Sequence, residues 1–188
     1  MKLLIIYAST DGQTKKIATY LKAEAEKQNI QVSLCNAAEQ PLKPDTFDAV
    51  IIGSSIRNRK FQSAVQAYVT QNRQMLNKMP SALFTVSSAA ATTGNNKNQW
   101  QLKGLQILAN KFIQQTGFTP QITEHIAGAV LFTKYSASVK FGFWLFAKFT
   151  GGYTDTSKDY EYTNWQQVST FLKKVTALAK SPTQLKLA

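Results

Sequence analysis

The sequence predicts an α/β domain built on a doubly wound, five-stranded parallel sheet in the order 2-1-3-4-5. Strand-like and helix-like patterns alternate along the chain. Two strand-like runs, Leu3–Ala8 and Asp48–Ser54, are apolar nearly throughout, as strands covered on both faces are. The stretches between strands are long enough for the helical crossovers that parallel strands require, and the right-handedness of such crossovers leaves few strand orders.

Each element has its own signature. After the strand Leu3–Ala8 comes a helix with Ile17, Tyr20, Leu21 and Ala25 on one stripe. Ile30–Leu34 alternates, which suits an outer strand. Asp48–Ser54 carries Ala49-Val50-Ile51-Ile52-Gly53, and the helix after it presents Phe61, Val65, Tyr68 and Val69. Pro80 opens the strand Ala82–Val86. The polar loop Ser87–Asn98 leads to a helix with Leu105, Leu108, Ala109 and Phe112, ended by Gly117 and Pro120. Ile122–Val130 reads as the fifth strand. The last helix runs from about Asn164 to Ala179, with Thr163 as its cap, Trp165 as its anchor and Ser181-Pro182 as its stop.

A length of 188 residues suits a single domain over 1–188, with an insertion at about residues 131–158 before the last helix. Hydrophobic residues make up 44% of the chain, an ordinary globular share rather than a disordered one. Lys and Arg outnumber Asp and Glu by 22 to 10, giving +12. That excess favours an anionic partner: nucleic acid, acidic lipid, or a ligand bearing phosphates or carboxylates. Cys35 is the single cysteine, so no intramolecular disulfide forms, in keeping with a reducing cytoplasm. One Cys and one His exclude a classical structural zinc site, and no metal is expected. The apolar run Met1–Tyr7 is too short for a signal peptide, and no stretch is long enough to span a bilayer.

In doubly wound sheets, ligands sit beyond the carboxyl ends of the strands near the switch in strand order. The loops that matter are then Ser9–Thr14, Ser54–Lys60 and Ser87–Asn98. The first reads Ser9-Thr10-Asp11-Gly12-Gln13-Thr14 and opens a helix. A helix N-terminus supplies unpaired N–H groups and partial positive charge. Gly12 lets the backbone come close to a ligand, and the hydroxyls of Ser9, Thr10 and Thr14 can donate to phosphate oxygens. Lys15 and Lys16 raise the local potential. Asp11 would repel a phosphate unless it folds back to cap Gln13 or Thr14. The alternative is an ordinary capped helix start. The loop has neither a Walker-type nor a dinucleotide glycine motif.

The strand Leu3–Ala8 followed by Ser-Thr-Asp-Gly-Gln-Thr resembles the FMN phosphate loop of flavodoxins, with Asp11 where many of them have Thr. The fold class is accordingly flavodoxin-like. The Asp-Gly-Gln-Thr variant resembles one branch, the quinone-dependent protoporphyrinogen IX dehydrogenases of bacterial haem synthesis. Val50–Arg57, Met79–Ala82, Ile126–Ala129, Gly151–Thr156 and Tyr162–Trp165 fit the same branch in the same order. The resemblance implies FMN-dependent oxidation of protoporphyrinogen IX to protoporphyrin IX, with electrons passed to menaquinone or ubiquinone at the cytoplasmic face of the bacterial inner membrane. It places the phosphate contacts on Ser9, Thr10, Asp11, Gly12, Gln13 and Thr14. A second FMN segment falls on Thr85, Val86, Ser87, Ser88 and Ala89, and a third contact near Asp155. The following stretch Ala90–Asn96 is neutral, unlike that of the more basic members, so no charged substrate clamp is assigned to it.

The insertion from Lys134 to Thr150 is crowded with Phe and Trp between lysines. It is too short to cross a bilayer, and its composition suits a helix lying on an anionic membrane surface. Helical spacing puts Phe141, Trp144, Leu145 and Lys148 on one face, where they would meet lipid, quinone or porphyrinogen. The alternative is a helix packed on its own sheet. Arg57 is the candidate for holding porphyrinogen propionates, while Arg59 and Lys60 read as a solvated basic loop. His125 reads as a hydrogen-bonded structural residue and Cys35 as a packed thiol. No nucleophile–base pair stands out and no catalytic side chain is assigned, because a flavin carries its own chemistry. A soluble flavodoxin-type electron carrier is the rival reading; the +12 charge and the insertion weigh against it. No nucleic-acid-binding motif is present.

Overall fold

Alternate residues of a strand point to opposite faces of its sheet, so a wholly apolar strand must be covered on both sides. The computed structural model describes residues 1–90, 99–130, 132–134, 155 and 157–181, and it shows that arrangement. Strands β1 (Lys2–Ala8), β2 (Gln31–Asn36), β3 (Ala49–Ser55), β4 (Ser81–Ser87) and β5 (Ile122–Ala127) form one sheet in the order β2-β1-β3-β4-β5. All four pairings are parallel. On one face, Leu3, Ile5, Ile51 and Phe84 pack against helices α1 (Gln13–Glu26) and α4 (Trp165–Lys180). On the other, Leu4, Ile6, Val50, Ile52 and Leu83 pack against α2 (Ser63–Leu76) and against Phe112 of α3 (Gln99–Thr116). Each such side chain, fully buried, contributes about 1.5–3 kcal/mol.

The register decides where the loops emerge. Ala8 lies beside Ser54, Ser55 beside Val86, and Ser87 beside Ala127. The ends of β1, β3, β4 and β5 therefore finish level along one edge, and the loops beginning at Ser9, Ile56 and Ser88 leave from it together. β2 is the half-buried outer strand its alternation predicts, and Cys35 on it packs against the second core.

Three boundaries differ from expectation. The fifth strand stops at Ala127 instead of running to Val130. Gly128 N–H still donates to the Ser87 carbonyl (3.0 Å), but the next residues, β6 (Ala129–Val130), turn away to pair antiparallel with β7 (Tyr160–Glu161). The last helix is capped by Asn164, whose side chain accepts from the Gln167 N–H at 3.1 Å; the Thr163 hydroxyl donates to the Ala127 carbonyl at 2.7 Å. Phe61 precedes α2 and stacks on Phe112, with centroids 4.0 Å apart. Trp165 anchors the last helix as expected, its ring 4.8 Å from that of Tyr20.

Gly53 is the most closely packed of the described glycines. A Cβ there would lie 2.3 Å from Phe84 Cζ, and the Phe84 ring is itself set edge-on against Phe171. Overpacking of this kind costs about 1–3 kcal/mol. Gly53→Ala should therefore lower the urea midpoint by that equivalent with an unchanged slope. A wild-type midpoint would show that the Phe84 ring does not rest on Gly53.

Candidate cofactor site at the carboxyl edge of the sheet

The first loop is shaped around Gly12, whose φ of 97° lies in the left-handed region that glycine adopts without penalty. A Cβ at Gly12 would meet nothing within 4 Å, so the turn faces open space. The Gly12 N–H donates to Ser9 Oγ at 3.0 Å, which closes the turn. Gly12 is also the N-cap of α1, and no side chain of that cap satisfies the first-turn N–H groups. The start of α2 at Gln62 likewise carries no side-chain cap.

The hydroxyls of this loop have different fates. Thr10 Oγ1 accepts from Gln62 Nε2 (3.0 Å) and sits 3.4 Å from Ser55 Oγ, tying the first loop to the chain after β3. Thr14 is buried, and its Oγ1 has no hydrogen-bond partner. Ser87 Oγ, at the end of β4, is buried and equally unpartnered. Leaving a buried hydroxyl unsatisfied costs about 1–3 kcal/mol. These two atoms lie in the two segments that the resemblance assigns to FMN.

Asp11, expected to fold back on its own loop, reaches across to Arg57, whose Nη1 donates to both carboxylate oxygens at 3.1 and 3.3 Å. The Asp11 carboxylate is thereby balanced by a guanidinium. Arg57 opens a tight turn. Its N–H and carbonyl exchange hydrogen bonds with Lys60 at 3.1 and 3.0 Å, and Asn58 and Arg59 both have positive φ, 50° and 58°. Paired positive φ values are those of a two-residue hairpin turn. Asn58 suits that conformation, and Arg59 is strained in it.

Beyond β4, Ser88–Ala90 forms a short 3-10 turn that includes Ala89. The Val86 side chain is buried in the core, and its carbonyl accepts from the Ile56 N–H at 2.8 Å. Thr85 is buried, with its hydroxyl 2.7 Å from His125 Nδ1; Gln106 Oε1 lies 3.4 Å from Nε2. His125 is thus the hydrogen-bonded structural residue anticipated. Burial holds its pKa below the ordinary histidine value, with Glu124 partly opposing. Asp155 is exposed and accepts from the Ser157 hydroxyl (2.5 Å) and N–H (3.0 Å), which lower its pKa below the ordinary carboxylate value. Phe141, Trp144 and Lys148 lie outside the described residues.

Glu161 and Thr163 escaped sequence reasoning as parts of the site. Gln13 Nε2 donates to Glu161 Oε1 (3.1 Å) and to Thr163 Oγ1 (2.8 Å), and Lys16 Nζ donates to Glu161 Oε2 (2.6 Å). The two residues flank Tyr162; Tyr162–Trp165 reads as a motif of the resemblance and as a helix start, and Glu161 has no role in either reading. Between the first loop and β7 lies a cleft of about 470 Å³, walled by Asp11, Gly12, Gln13, Lys16, Tyr160 and Glu161 among others. Among the described residues, no group of three or more His, Cys, Asp or Glu could hold a metal, and no helix is long and apolar enough to cross a membrane.

A protein family described as a flavodoxin domain matches residues 4–157. Protoporphyrinogen IX dehydrogenase (quinone) of Escherichia coli (strain K12) is 35% identical over 185 residues, which is 97% of this chain and 99% of that protein. The protein of the same name from Leishmania major is 30% identical over 179 residues, 94% of this chain and 75% of that protein. Among solved structures, oxidised flavodoxin 1 of Bacillus cereus superposes with a TM-score of 0.53 at 12% identity, covering 96% of this chain and 98% of that one. At that identity the likeness speaks for the fold alone. The family match points to a flavin as the cofactor class.

The His125 environment has a pH consequence. Its folded pKa is depressed below 6.5, so the neutral ring stabilises the fold above that value, and the contribution is lost as pH falls through the folded pKa. An NMR titration of His125 should give a midpoint below 6.5, and His125→Gln should flatten the loss of stability on the acid side. A midpoint at or above that value would contradict burial as the cause.

Proposed function

This chain belongs to the flavodoxin-domain family and is a relative of the quinone-dependent protoporphyrinogen IX dehydrogenases, and we propose that it oxidises protoporphyrinogen IX to protoporphyrin IX with FMN and passes the electrons to a quinone. The observation that carries the FMN reading is the pair of orphaned hydroxyls. Thr14 Oγ1 and Ser87 Oγ are buried donors without acceptors, one beside the left-handed Gly12 turn and one at the end of β4. A phosphate in the turn gives Thr14 and the unpaired first-turn N–H groups an acceptor. Ser87, with Ser88 and Ala89 after it, would hold the flavin, and an acceptor on it would satisfy the Ser87 hydroxyl.

FMN, held by these residues, would supply two-electron redox chemistry, and repeated turnovers, each handing its electron pair to a quinone, would remove the hydrogens that separate porphyrinogen from porphyrin. The protein's part is to bind, orient and balance charge. Ser9 holds the Gly12 turn shut, and Thr10 ties that turn to the strand that follows it in the sheet. Arg57 balances Asp11. Its half-exposed guanidinium has donors beyond Nη1, which is spent on Asp11, and these suit a propionate. Asp155 is placed near the cofactor by the resemblance. The insertion, with Phe141, Trp144 and Lys148, is assigned to the quinone and to an anionic membrane surface, a location that the +12 charge favours. Menaquinone and ubiquinone are both acceptable partners at the cytoplasmic face of the inner membrane.

The direct test is anaerobic: purified protein, FMN, protoporphyrinogen IX and a menaquinone analogue, with porphyrin fluorescence as the readout. Fluorescence should rise only when all components are present. FMN bound without a rise would leave an electron carrier. A second test separates cofactor from fold. Thr14→Val removes the orphaned hydroxyl at nearly constant shape, so FMN should bind about tenfold more weakly while the cofactor-free protein gains about 1 kcal/mol. Unchanged FMN affinity would remove Thr14 from the site.

A further inference from the structure

We infer that Glu161 is a positioning residue that fixes the root of the insertion against the phosphate loop, so that filling the loop orders the root; this rests on the FMN reading above. The root is a closed unit. β6 and β7 pair Ala129 with Glu161 and Val130 with Tyr160. Just beyond them, the Thr133 N–H and hydroxyl both donate to the Asp159 carboxylate, at 2.8–3.0 Å. Phe132 meets the Tyr160 ring edge-on, and the Tyr162 N–H donates to the Gly128 carbonyl at 3.0 Å.

From this unit, one carboxylate reaches the phosphate loop. Both Glu161 oxygens are used, one by Gln13 and the other by Lys16, residues on the same side of the first turns of α1. Gln13 stands between Gly12 and Thr14, the two residues on which the anion site depends. Its amide is held a second time by Thr163, whose own hydroxyl is anchored on the end of β5. Lys16 lies 5.4 Å from the Trp165 ring centroid, a further restraint on its ammonium. An isolated surface ion pair would count for little. Here two donors converge on one carboxylate from residues 145 and 148 positions away in the chain, and the bonds share partners. Their effect is therefore on relative position: Gln13 cannot shift with the loop without moving Glu161, and Glu161 cannot move without β7.

Hydrogen–deuterium exchange of the full-length protein, with and without saturating FMN, tests this. In the wild type, FMN should slow exchange in 157–163 roughly fivefold or more, as well as in 9–16. Glu161→Ala should keep the FMN effect in 9–16 and lose it in 157–163. Glu161→Gln retains an oxygen to accept from Gln13 and should retain the effect, which separates position from charge. A residue that merely stabilised the root would change exchange in 157–163 equally in the presence and absence of FMN. Glu161→Ala with an intact FMN response in 157–163, or a wild type with none, would overturn the inference while leaving FMN binding in place. A wild type that failed to bind FMN would overturn the cofactor reading itself.

Discussion

The pairing of β1 with a parallel neighbour on each side is the constraint on which the site depends. Leu3 to Ile6 are inaccessible to solvent, and each alternately enters one of the two cores. A one-residue slip of β1 would exchange Leu3 and Ile5 with Leu4 and Ile6 and misalign it with both neighbours. It would also displace Ala8 from Ser54, and with it the turn at Gly12. Placement of the first loop is thus set by hydrophobic burial several residues upstream. The Gly53–Phe84 contact fixes the next strand in the same way, because the ring fits only where a side chain is missing.

On this rigid edge the chain leaves polar groups that the fold itself does not satisfy. The first turn of α1 lacks a side-chain cap, and two buried hydroxyls lack acceptors. A buried polar group left without a partner costs stability. Each of these groups also supplies a fixed donor that need not reorganise when an anionic, hydrogen-bond-accepting ligand arrives. Asp11 would spoil such a site on its own. Paired with Arg57, it instead links the first loop to the tight turn after β3.

The fold was legible because its signals were local. Continuous apolar runs marked the central strands, alternation marked the outer one, and Gly12 between hydroxyl residues marked the loop. What escaped was decided by contacts distant in sequence. The run from Ile122 to Val130 keeps a strand pattern through Gly128, and only the pairing with Tyr160 and Glu161 breaks it. Thr163 and Asn164 are both good helix caps. Asn164 takes the role because the Thr163 hydroxyl is drawn to Ala127. The Glu161 contacts to Gln13 and Lys16 leave no mark in either local pattern, since both lie more than a hundred residues away.

The central claim is that the loop Ser9–Thr14 grips a phosphate at the amino end of α1. Titrating the protein with FMN and with riboflavin, which differ only by that phosphate, tests it most directly. FMN should bind far more tightly than riboflavin, and Thr14→Val should narrow the gap. Equal affinities for the two would contradict a phosphate site in the loop.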